Sequence, residues 1–499
     1  MIRGLLCYDA EVDRDQDLFS AGRNCWRVEE ADRLAVVIDA AAYFEALHQA
    51  MAQARRRIML IGWDFDSRIR LIQPRSGSPP ATVGKFILWL AKKRPDLEIY
   101  LLRWDMGLAT SLLRGSTPLM LLRWKMHRQI HFKLDSAQPI GGSHHQKIVA
   151  IDDCLAFCGG IDVTSRRWDT REHRDDDPRR VSPGGRHHDP WHDAIVAFDG
   201  KAAAALGELA RDRWEFAGGE RLEPVEGARP CWPEALDPDF RNLRVAIARS
   251  RPEYGGREAV REIEDQTVDL IAAAKRSLYV ESQYFASRKL AEAIARRLDE
   301  PDGPEIVLIN PHQSDGWLEQ QAMDTARARL YEALHRRDRH GRFRIYHPFT
   351  AGGRPIYVHA KIVIVDDRIL RVGSSNWNNR SMRLDTECDA TIDALLASDP
   401  EQSSRRIRAI RDGLIAEHLA VEQERVEQAI ARHGSLISAI DALAGEGRSL
   451  RSYEVPDLAE IEKYLADHEV LDPEGPEEMF EPVARRHLFR RLRKPWDDS

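Results

Sequence analysis

The sequence predicts an α/β protein made of two lobes that share one order of helices and strands. Short apolar segments of strand length alternate with amphipathic segments of helix length, which is typical of this fold class. The same order returns in the second half, and each half contains one His-x-Lys-x4-Asp motif. A chain of 499 residues is long enough for two such lobes, each with its own core.

The first half begins with a helix predicted over 40–55, because Phe44, Leu47 and Met51 fall on one stripe at the spacing of an α-helix. The apolar run over 58–61 that follows predicts a buried strand. The same reasoning predicts the two elements that complete this half, a helix over 82–94 and a strand over 98–103.

The second half repeats this order of elements. Ile58 of the first half corresponds to Leu278, and His145 corresponds to His359 at a nearly equal spacing. The predicted elements of this half are a helix over 258–275, a strand over 278–281, a helix over 288–298 and a strand over 305–309. Two halves of similar size with the same order indicate an internal duplication.

Composition divides the chain into four parts. Residues 219–243 are rich in glycine, proline and charge, as surface linkers are, and they separate lobes over 1–218 and 244–420. Residues 421–499 are predicted to form a helical extension with a basic tail. The tail, residues 485–494, interleaves Arg and Lys with Leu and Phe. This pattern fits either a solvated charged tail or a patch that contacts anionic lipid headgroups.

The overall composition is that of a soluble globular protein, with 43% apolar and 31% charged residues. The net charge of −7 argues against a surface built as a whole for nucleic acid, although a local basic groove stays open. Six cysteines without a paired framework favour free thiols in a reducing compartment.

Two further features of the sequence concern the cellular location of the protein. No apolar run approaches the roughly 20 residues that a membrane-spanning helix needs. The sequence also turns acidic at Asp9, too early for a signal peptide. We therefore expect a cytoplasmic protein.

Two short motifs carry the predicted chemistry. They consist of His145, Lys147 and Asp152 in the first lobe and of His359, Lys361 and Asp366 in the second. Residues two apart on a strand face the same side, so in each motif the imidazole and the ammonium would project together at the end of a buried strand. Two copies in duplicated lobes favour one shared site over coincidence.

These twin motifs resemble those of the phospholipase D superfamily, and the likeness covers most of residues 30–420. The segment Gly373–Asn376 resembles the Gly-Ser-x-Asn element of that family. Four further segments are similar to the phosphatidylcholine-cleaving branch that eukaryotic enzymes share with bacterial relatives. They are Gly159–Asp162, Arg167–Thr170, Pro190–Asp193 and Glu281–Phe285, the last of which has Ser282 where the family has Asn. The resemblance implies two pseudo-symmetric α/β/α lobes packed around one active site, with a helical C-terminal extension.

The resemblance also implies roles for individual residues. It makes His145 the expected nucleophile and His359 the expected general acid, although the sequence alone does not distinguish them. The lysines would neutralise phosphate charge, while Asp152 and Asp366, as motif members, would support the motif loops more than contact phosphate. The implied phosphate-binding residues are Ser374 and Asn376, with Gly160 and Asp162 at the corresponding positions of the first lobe.

Two carboxylates are candidates to orient the histidines. Glu387, downstream of His359, resembles the orienting carboxylate of the family, and Asp193 is the candidate partner of His145. Such a partner on the far ring nitrogen fixes the histidine tautomer. Gln283 and Trp168 are expected in the substrate pocket.

The function implied is hydrolysis, or transfer to an alcohol, of the headgroup phosphodiester of a glycerophospholipid through a phosphohistidine. We expect no metal at the site and no required cofactor, with a dependence on calcium left open. The partners would be a phospholipid, water or an alcohol, and the inner membrane face, with no obligatory nucleic acid. A duplicated chain can complete the site as a monomer. The alternatives are a nucleic-acid phosphodiesterase, a cardiolipin-synthase-like phosphatidyltransferase, and a catalytically inactive membrane scaffold, which two intact motifs disfavour.

Histidines are dense over residues 169–193, where His173, His187, His188 and His192 accompany an Asp175–Asp177 run. A metal site is one interpretation, and a solvated active-site loop containing proline and glycine is the one we prefer. Trp63, Trp104 and Trp168 follow predicted strand ends and could meet a lipid interface or be buried between the lobes.

Overall fold

The structure is a computed structural model that describes residues 18–74, 76–105, 118–313 and 317–455. The basic tail over 485–494 and the acidic start of the sequence lie outside the described residues. Eighteen strands are formed in the described part: β1 (Arg27–Ile38), β2 (Arg57–Gly62), β3 (Glu98–Trp104), β4 (Ile130–Asp135), β5 (Ile148–Ile151), β6 (Leu155–Gly159), β7 (Trp191–His192), β8 (Ala194–Asp199), β9 (Phe240–Arg251), β10 (Val260–Arg261), β11 (Ser277–Glu281), β12 (Glu305–Ile309), β13 (Phe343–Phe349), β14 (Tyr357–Val358), β15 (Ile362–Val365), β16 (Ile369–Gly373), β17 (Glu387–Asp393) and β18 (Ser449–Ser452).

The described helices cover both faces of the sheet that these strands form. They are α1 (Ala40–Gln53), α2 (Val83–Lys93), α3 (Pro118–Lys125), α4 (Gly200–Phe216), α5 (Glu262–Ala273), α6 (Arg288–Asp299), α7 (Trp317–Arg337), α8 (Pro400–Leu419), α9 (Gln423–His433) and α10 (Leu436–Leu443), with short turns of π-helix at Arg380–Leu384 and 3₁₀-helix at Ala394–Leu396.

One sheet runs through both lobes. Its strand order is β18-β13-β12-β11-β15-β16-β17-β9-β1-β8-β6-β5-β2-β3-β4, with β10 paired to β9. The antiparallel pair β1 and β9, in which Arg27 lies opposite Ile247, forms the centre. Outward from it, β8-β6-β5-β2-β3-β4 in the first lobe matches β17-β16-β15-β11-β12-β13 in the second. This mirrored order confirms the predicted α/β fold of two pseudo-symmetric lobes.

The central strands of each lobe are apolar along their whole length because helices cover both of their faces. All four residues of β5 and all four of β15 are buried, as expected for strands packed on both sides. Each lobe has its own core on one face, under α1 and α2 in the first and under α5 and α6 in the second. On the other face, α4 and α8 pack on a core that residues of both lobes share.

Some predicted boundaries differ from the structure. Strand β9 begins at Phe240, so the last residues of the predicted linker 219–243 belong to the central pair of the sheet. Helix α5 begins at Glu262 instead of 258, because residues before it form a turn and β10. The described part of the extension, 421–455, is not wholly helical, because β18 pairs with β13 at the sheet edge.

Within the described ranges, no helix combines the length and the apolar character that crossing a bilayer requires.

Candidate active site

Both motifs occupy the same place in their lobes. His145 and Lys147 directly precede β5, and His359 and Lys361 directly precede β15. In each motif the lysine ammonium turns back to donate to the carbonyl of its histidine, at 2.8 Å for Lys147. The imidazole and the ammonium are therefore held together at the start of the strand, where the two lobes meet.

The aspartates of the motifs lie at the other ends of these strands. Asp152 accepts three backbone N–H groups at the start of β2, at 2.7–2.8 Å. Asp366 does the same at the start of β11, at 2.5–2.7 Å. Both residues have a positive φ, 50° and 52°. They support the strand turns, as the resemblance implied, and they lie at the strand ends opposite to the histidines, so they take no direct part in catalysis.

The orienting carboxylates are crossed between the lobes, which corrects the predicted pairing. Nδ1 of His145 lies 2.9 Å from both carboxylate oxygens of Glu387, which belongs to the second lobe. Nδ1 of His359 lies 2.7 Å from Oδ2 of Asp193, which belongs to the first lobe. Each lobe thus supplies a histidine and the carboxylate that orients the histidine of the other lobe.

Backbone hydrogen bonds hold this crossing in place. The N–H of His145 donates to the carbonyl of Thr386 at 3.0 Å, and that of His359 donates to the carbonyl of His192 at 2.8 Å. Thr386 and His192 each precede a carboxylate of the crossed pair, and β7 pairs in parallel with β14 beside them. The two histidines are consequently fixed against the opposite lobe before any substrate binds.

The charges of the site converge on both histidines. Burial, and then Lys147 and Lys361, hold the pKa of His145 well below its usual value. Burial, Lys361, Arg167 and Lys147 do the same for the pKa of His359. Both imidazoles are therefore neutral in the substrate-free protein. His145 keeps 15% of its side chain exposed and His359 keeps 7%, so solvent reaches both imidazoles and reaches His145 more.

Ser374, which was predicted to bind phosphate, contacts Glu387. Its hydroxyl donates to Oε2 of Glu387 at 2.5 Å and accepts the backbone N–H of Cys388 at 3.0 Å. The hydroxyl therefore helps to hold Glu387 against His145. At the corresponding position Gly160 has no side chain, and Oδ1 of Asp193 lies where its Cβ would be, at 2.1 Å.

Substituting Gly160 by alanine should therefore displace Asp193 from His359. A misplacement of about 1 Å can cost roughly 10²-fold in rate, and we expect a loss of that order in kcat. Gly184→Ala is the control, because a Cβ there meets nothing within 4 Å. Phosphodiesterase kinetics with thermal unfolding would check this. An equal rate for Gly160→Ala and the wild type would contradict the packing described here.

The two other predicted phosphate ligands, Asp162 and Asn376, have different surroundings. Asp162 lies 3.3 Å from the ammonium of Lys147 and accepts the backbone N–H of Trp63. A carboxylate there repels phosphate, so Asp162 is a partner of Lys147 and not a phosphate ligand. Asn376 remains a candidate, because its side-chain NH2 group has two N–H donors, and the contact with Gln283 uses only one of them. Its amide contacts Gln283 at 3.4 Å.

The two predicted pocket residues lie in different places. The side-chain amide of Gln283 donates to the hydroxyls of Tyr284 and Tyr357 at 2.9 and 2.8 Å. Trp168 lies under the guanidinium of Arg179, at 5.0 Å, and lines a surface groove of about 830 Å³. Gln283 thus adjoins Asn376, whereas Trp168 faces a groove.

Three residues beside His359 had no role assigned from the sequence. The ring of Trp191 lies 5.1 Å from that of His359 and stacks at 4.6 Å on Tyr357. The guanidinium of Arg167 lies 4.1 Å over Trp191 and helps to lower the pKa of Lys361. Arg167 therefore faces the site with a positive charge. Its place in the Arg-Trp-Asp-Thr segment was the signal that could have identified it.

The histidine-rich loop is only partly solvated. His187 is exposed, as expected for a surface loop, but His173 and His192 are fully buried. The carboxylates around them explain the difference, since Asp169 lies 3.1 Å from His173 and Glu281 lies 2.7 Å from His192. The preferred interpretation of this segment was wrong for these two histidines.

Comparison with known families and proteins gives consistent matches. A family model described as phospholipase D matches residues 50–230 and 344–465. A model described as cardiolipin synthase, PLD-like domain, matches residues 267–402. Together the matches include both histidines and both crossed carboxylates.

Similar proteins are found at low identity. Phospholipase D A of Dictyostelium discoideum is 24% identical over 427 residues, which cover 72% of this chain and 33% of that protein. Phospholipase D alpha 1 of Carica papaya is 24% identical over 518 residues, covering 76% of this chain and 64% of that protein. This chain thus spans from one third to just under two thirds of the length of these relatives.

Among solved structures, phosphatidylserine synthase of Haemophilus influenzae Rd KW20 superposes with a TM-score of 0.56 at 15% identity. The match covers 82% of this chain and 96% of that one. At this identity the likeness concerns the fold.

Proposed function

The chain belongs to the phospholipase D family, and from this premise we propose that it cleaves the headgroup phosphodiester of a glycerophospholipid through a phosphohistidine. The observation that carries the proposal is the crossed pair of histidine–carboxylate contacts, His145 with Glu387 and His359 with Asp193. Two imidazoles held in defined tautomers and flanked by two lysines suit attack at phosphorus and protonation of a leaving group.

In the first step His145 attacks phosphorus. The Nδ1–H of its ring donates to ionised Glu387, which leaves the lone pair of Nε2 free to form the N–P bond. The bond from phosphorus to the headgroup oxygen breaks, and His359 gives its proton to the departing alkoxide. His359 acquires that proton when the anionic phosphodiester binds, because a negative charge beside an imidazole raises its pKa. Such a donor contributes about 10²–10⁴-fold to the rate.

In the second step neutral His359 takes a proton from water or an alcohol, whose oxygen attacks the phosphohistidine. The N–P bond breaks and His145 returns to its neutral form. Lys147 and Lys361 offset the charge that gathers on the phosphoryl oxygens in both transition states. These groups supply a nucleophile, an acid and charge neutralisation, so we propose that the chemistry at phosphorus needs no metal.

We propose a phospholipid as substrate and the surface of a membrane as the place of action. The relatives named phospholipase D support this substrate class. Phosphatidyl transfer to an alcohol is the second candidate. It is favoured by the family model described as cardiolipin synthase, which matches residues 267–402.

The test is product release from a panel of vesicles that contain phosphatidylcholine, phosphatidylethanolamine or phosphatidylglycerol, with single-stranded DNA as a further substrate. Phosphatidic acid and a free headgroup are expected, and added ethanol should divert part of the product to phosphatidylethanol. Condensation of two phosphatidylglycerol molecules without hydrolysis would favour the transferase. Cleavage of DNA with no lipid product would overturn the lipid assignment.

The pH profile follows from two buried charges of the site. Burial raises the pKa of Glu387 to about 7, so the carboxylate that orients His145 is lost as pH falls through this value. Burial lowers the pKa of Lys361 to about 7, so its positive charge is lost as pH rises. We expect kcat/KM to follow a narrow bell-shaped pH profile centred near neutrality. The apparent pKa values of its two limbs belong to the interacting groups together and not to single residues.

Bound phosphodiester is negative and raises the pKa of the lysine, so the alkaline limb of kcat should lie at higher pH than that of kcat/KM. Lys361→Arg should remove the contribution of Lys361 to the alkaline limb, since a guanidinium stays protonated, and should leave the part of that limb that loss of the His359 proton causes. Steady-state kinetics across neutral pH would measure both. A flat kcat/KM profile would contradict this assignment.

A further inference from the structure

Behind the active site, four side chains from distant parts of the chain meet in a buried cluster. Asp39 lies between β1 and α1, His173 in the loop after β6, His192 on β7, and Glu417 on α8 of the second lobe. All four are at most 6% exposed. The proposed reaction uses none of them, so the cluster needs a separate explanation.

The donor atoms of this cluster are spaced like the ligands of a tetrahedral ion. Oε1 of Glu417 lies 3.1 Å from Nε2 of His173 and 2.9 Å from Nδ1 of His192. Asp39 presents one oxygen to each ring, at 3.6 Å from His173 and 3.5 Å from His192. Ligands bound at about 2.1 Å around a tetrahedral ion are about 3.4 Å apart. The four distances, to which Asp39 contributes both of its oxygens, lie on either side of that value, and one ligand atom from each residue lies within 4.8 Å of the others.

The far nitrogen of each ring already contacts a carboxylate. Nδ1 of His173 lies 3.1 Å from Oδ2 of Asp169, and Nε2 of His192 lies 2.7 Å from Oε2 of Glu281. Such outer carboxylates are the usual partners of metal-binding histidines, because they fix the tautomer and raise the basicity of the inner nitrogen. The inner nitrogens of both rings are thereby left directed at Asp39 and Glu417.

Two atoms that face the centre of the cluster are not satisfied by hydrogen bonds. Oδ2 of Asp39 and Nδ1 of His192 are buried and make no well-aligned hydrogen bond in the part of the chain that the structure describes, although Oε1 of Glu417 lies 2.9 Å from that Nδ1. Buried polar atoms normally find such a partner. Asp39 also has a φ of 65°, a strained conformation for a residue other than glycine.

We propose that Asp39, His173, His192 and Glu417 bind a divalent cation of the zinc class. Two imidazole nitrogens and two carboxylate oxygens are a donor set that Zn²⁺ accepts in tetrahedral geometry. The two carboxylates offset the charge of the ion, and Arg171 pairs with Oε2 of Glu417 at 2.5 Å, which leaves Oε1 facing the ion. The site does not depend on which phosphodiester the protein cleaves.

The cation would join the two lobes and support the catalytic centre from behind. Its ligand His192 accepts the backbone N–H of His359 through its carbonyl, and the next residue, Asp193, orients the ring of His359. Glu417 brings the second lobe to the same ion. The ion is structural in this role, since its ligands contact the supports of His359 and not the proposed reacting atoms.

The test measures metal in the full-length protein, expressed with zinc and purified without chelators. Elemental analysis should give one zinc per chain. After removal of zinc, titration with Co²⁺ alone should saturate at one equivalent and give the intense visible bands of a tetrahedral site. Zinc should also raise the unfolding temperature of the metal-free protein, because ligands that bind only the folded state stabilise it.

Variants of the proposed ligands and of a nearby histidine test whether the metal binds at this cluster. Glu417→Gln and His173→Gln should lose stoichiometric zinc and the cobalt bands, whereas His187→Gln, an exposed histidine of the same loop, should keep both. Should the buried variants fail to fold, the cobalt spectrum of the wild type decides alone. Wild-type protein without zinc and without saturable cobalt binding would overturn the proposal and leave a network of ion pairs.

Discussion

Replacing His145 by alanine should lower headgroup release by at least roughly 10⁴-fold, because the loss of one member of a catalytic unit removes most of its effect. His359→Ala should lower the rate of headgroup release from a phospholipid by a similar factor, because the departing alkoxide needs a proton. The two variants should differ on a p-nitrophenyl phosphodiester, since its phenolate leaves without protonation. His359→Ala should recover the first step on that substrate and release p-nitrophenolate in a stoichiometric burst, because only its second step still lacks the base, whereas His145→Ala should release none.

This comparison distinguishes the nucleophile from the general acid, which the sequence could not do. Initial rates on both substrates, with circular dichroism to verify folding, are the measurement. The double variant should be no slower than either single one, because both histidines act in one unit. Recovery of His145→Ala in place of His359→Ala would reverse the assigned roles. Full activity of either variant on lipid would refute the mechanism.

The second large effect is expected at the crossed carboxylates. An amide can donate a hydrogen bond to Nδ1 and so stabilise the wrong histidine tautomer, and comparable changes cost on the order of 10²–10⁴-fold. Glu387→Gln and Asp193→Asn should both lose activity on phospholipid by such a factor. On the p-nitrophenyl substrate, Asp193→Asn should recover together with His359→Ala. Glu387→Gln should stay inactive together with His145→Ala.

That pattern tests the crossing itself. If each lobe oriented its own histidine, Glu387→Gln would be the variant that recovers. Asp176→Asn provides the control, because this aspartate lies on the surface with 88% of its side chain exposed and pairs only peripherally with Arg354. Its kinetics on both substrates should match those of the wild type.

Much of the fold follows from local patterns in the sequence. The helix predicted over 40–55 is formed over Ala40–Gln53, and the strand predicted over 305–309 has those same bounds. Helical period and runs of apolar residues act within a few positions of the chain, so one sequence suffices to identify them. The two motifs were located for the same reason, because each is a fixed spacing followed by a buried strand.

The partners of the site residues could not be derived in this way. Glu387 follows His359 in sequence, and that order suggested that they belong together. The crossing instead depends on how β1 and β9 pair at the centre of the sheet, which brings the end of each lobe against the other. Likewise, the loop around His173 looks like a solvated polar segment until Glu417, from the far end of the chain, covers it.

Because the carboxylates are crossed, each half of the chain depends on the other half for the group that orients its histidine. A substitution that removes the orienting carboxylate from one copy inactivates the histidine of the other copy. Selection therefore acts on both copies together, and neither copy can change its role without affecting the other. A single-lobe ancestor with the same site would have been inert by itself. It would have gained activity only by associating with a second copy of itself about a two-fold axis.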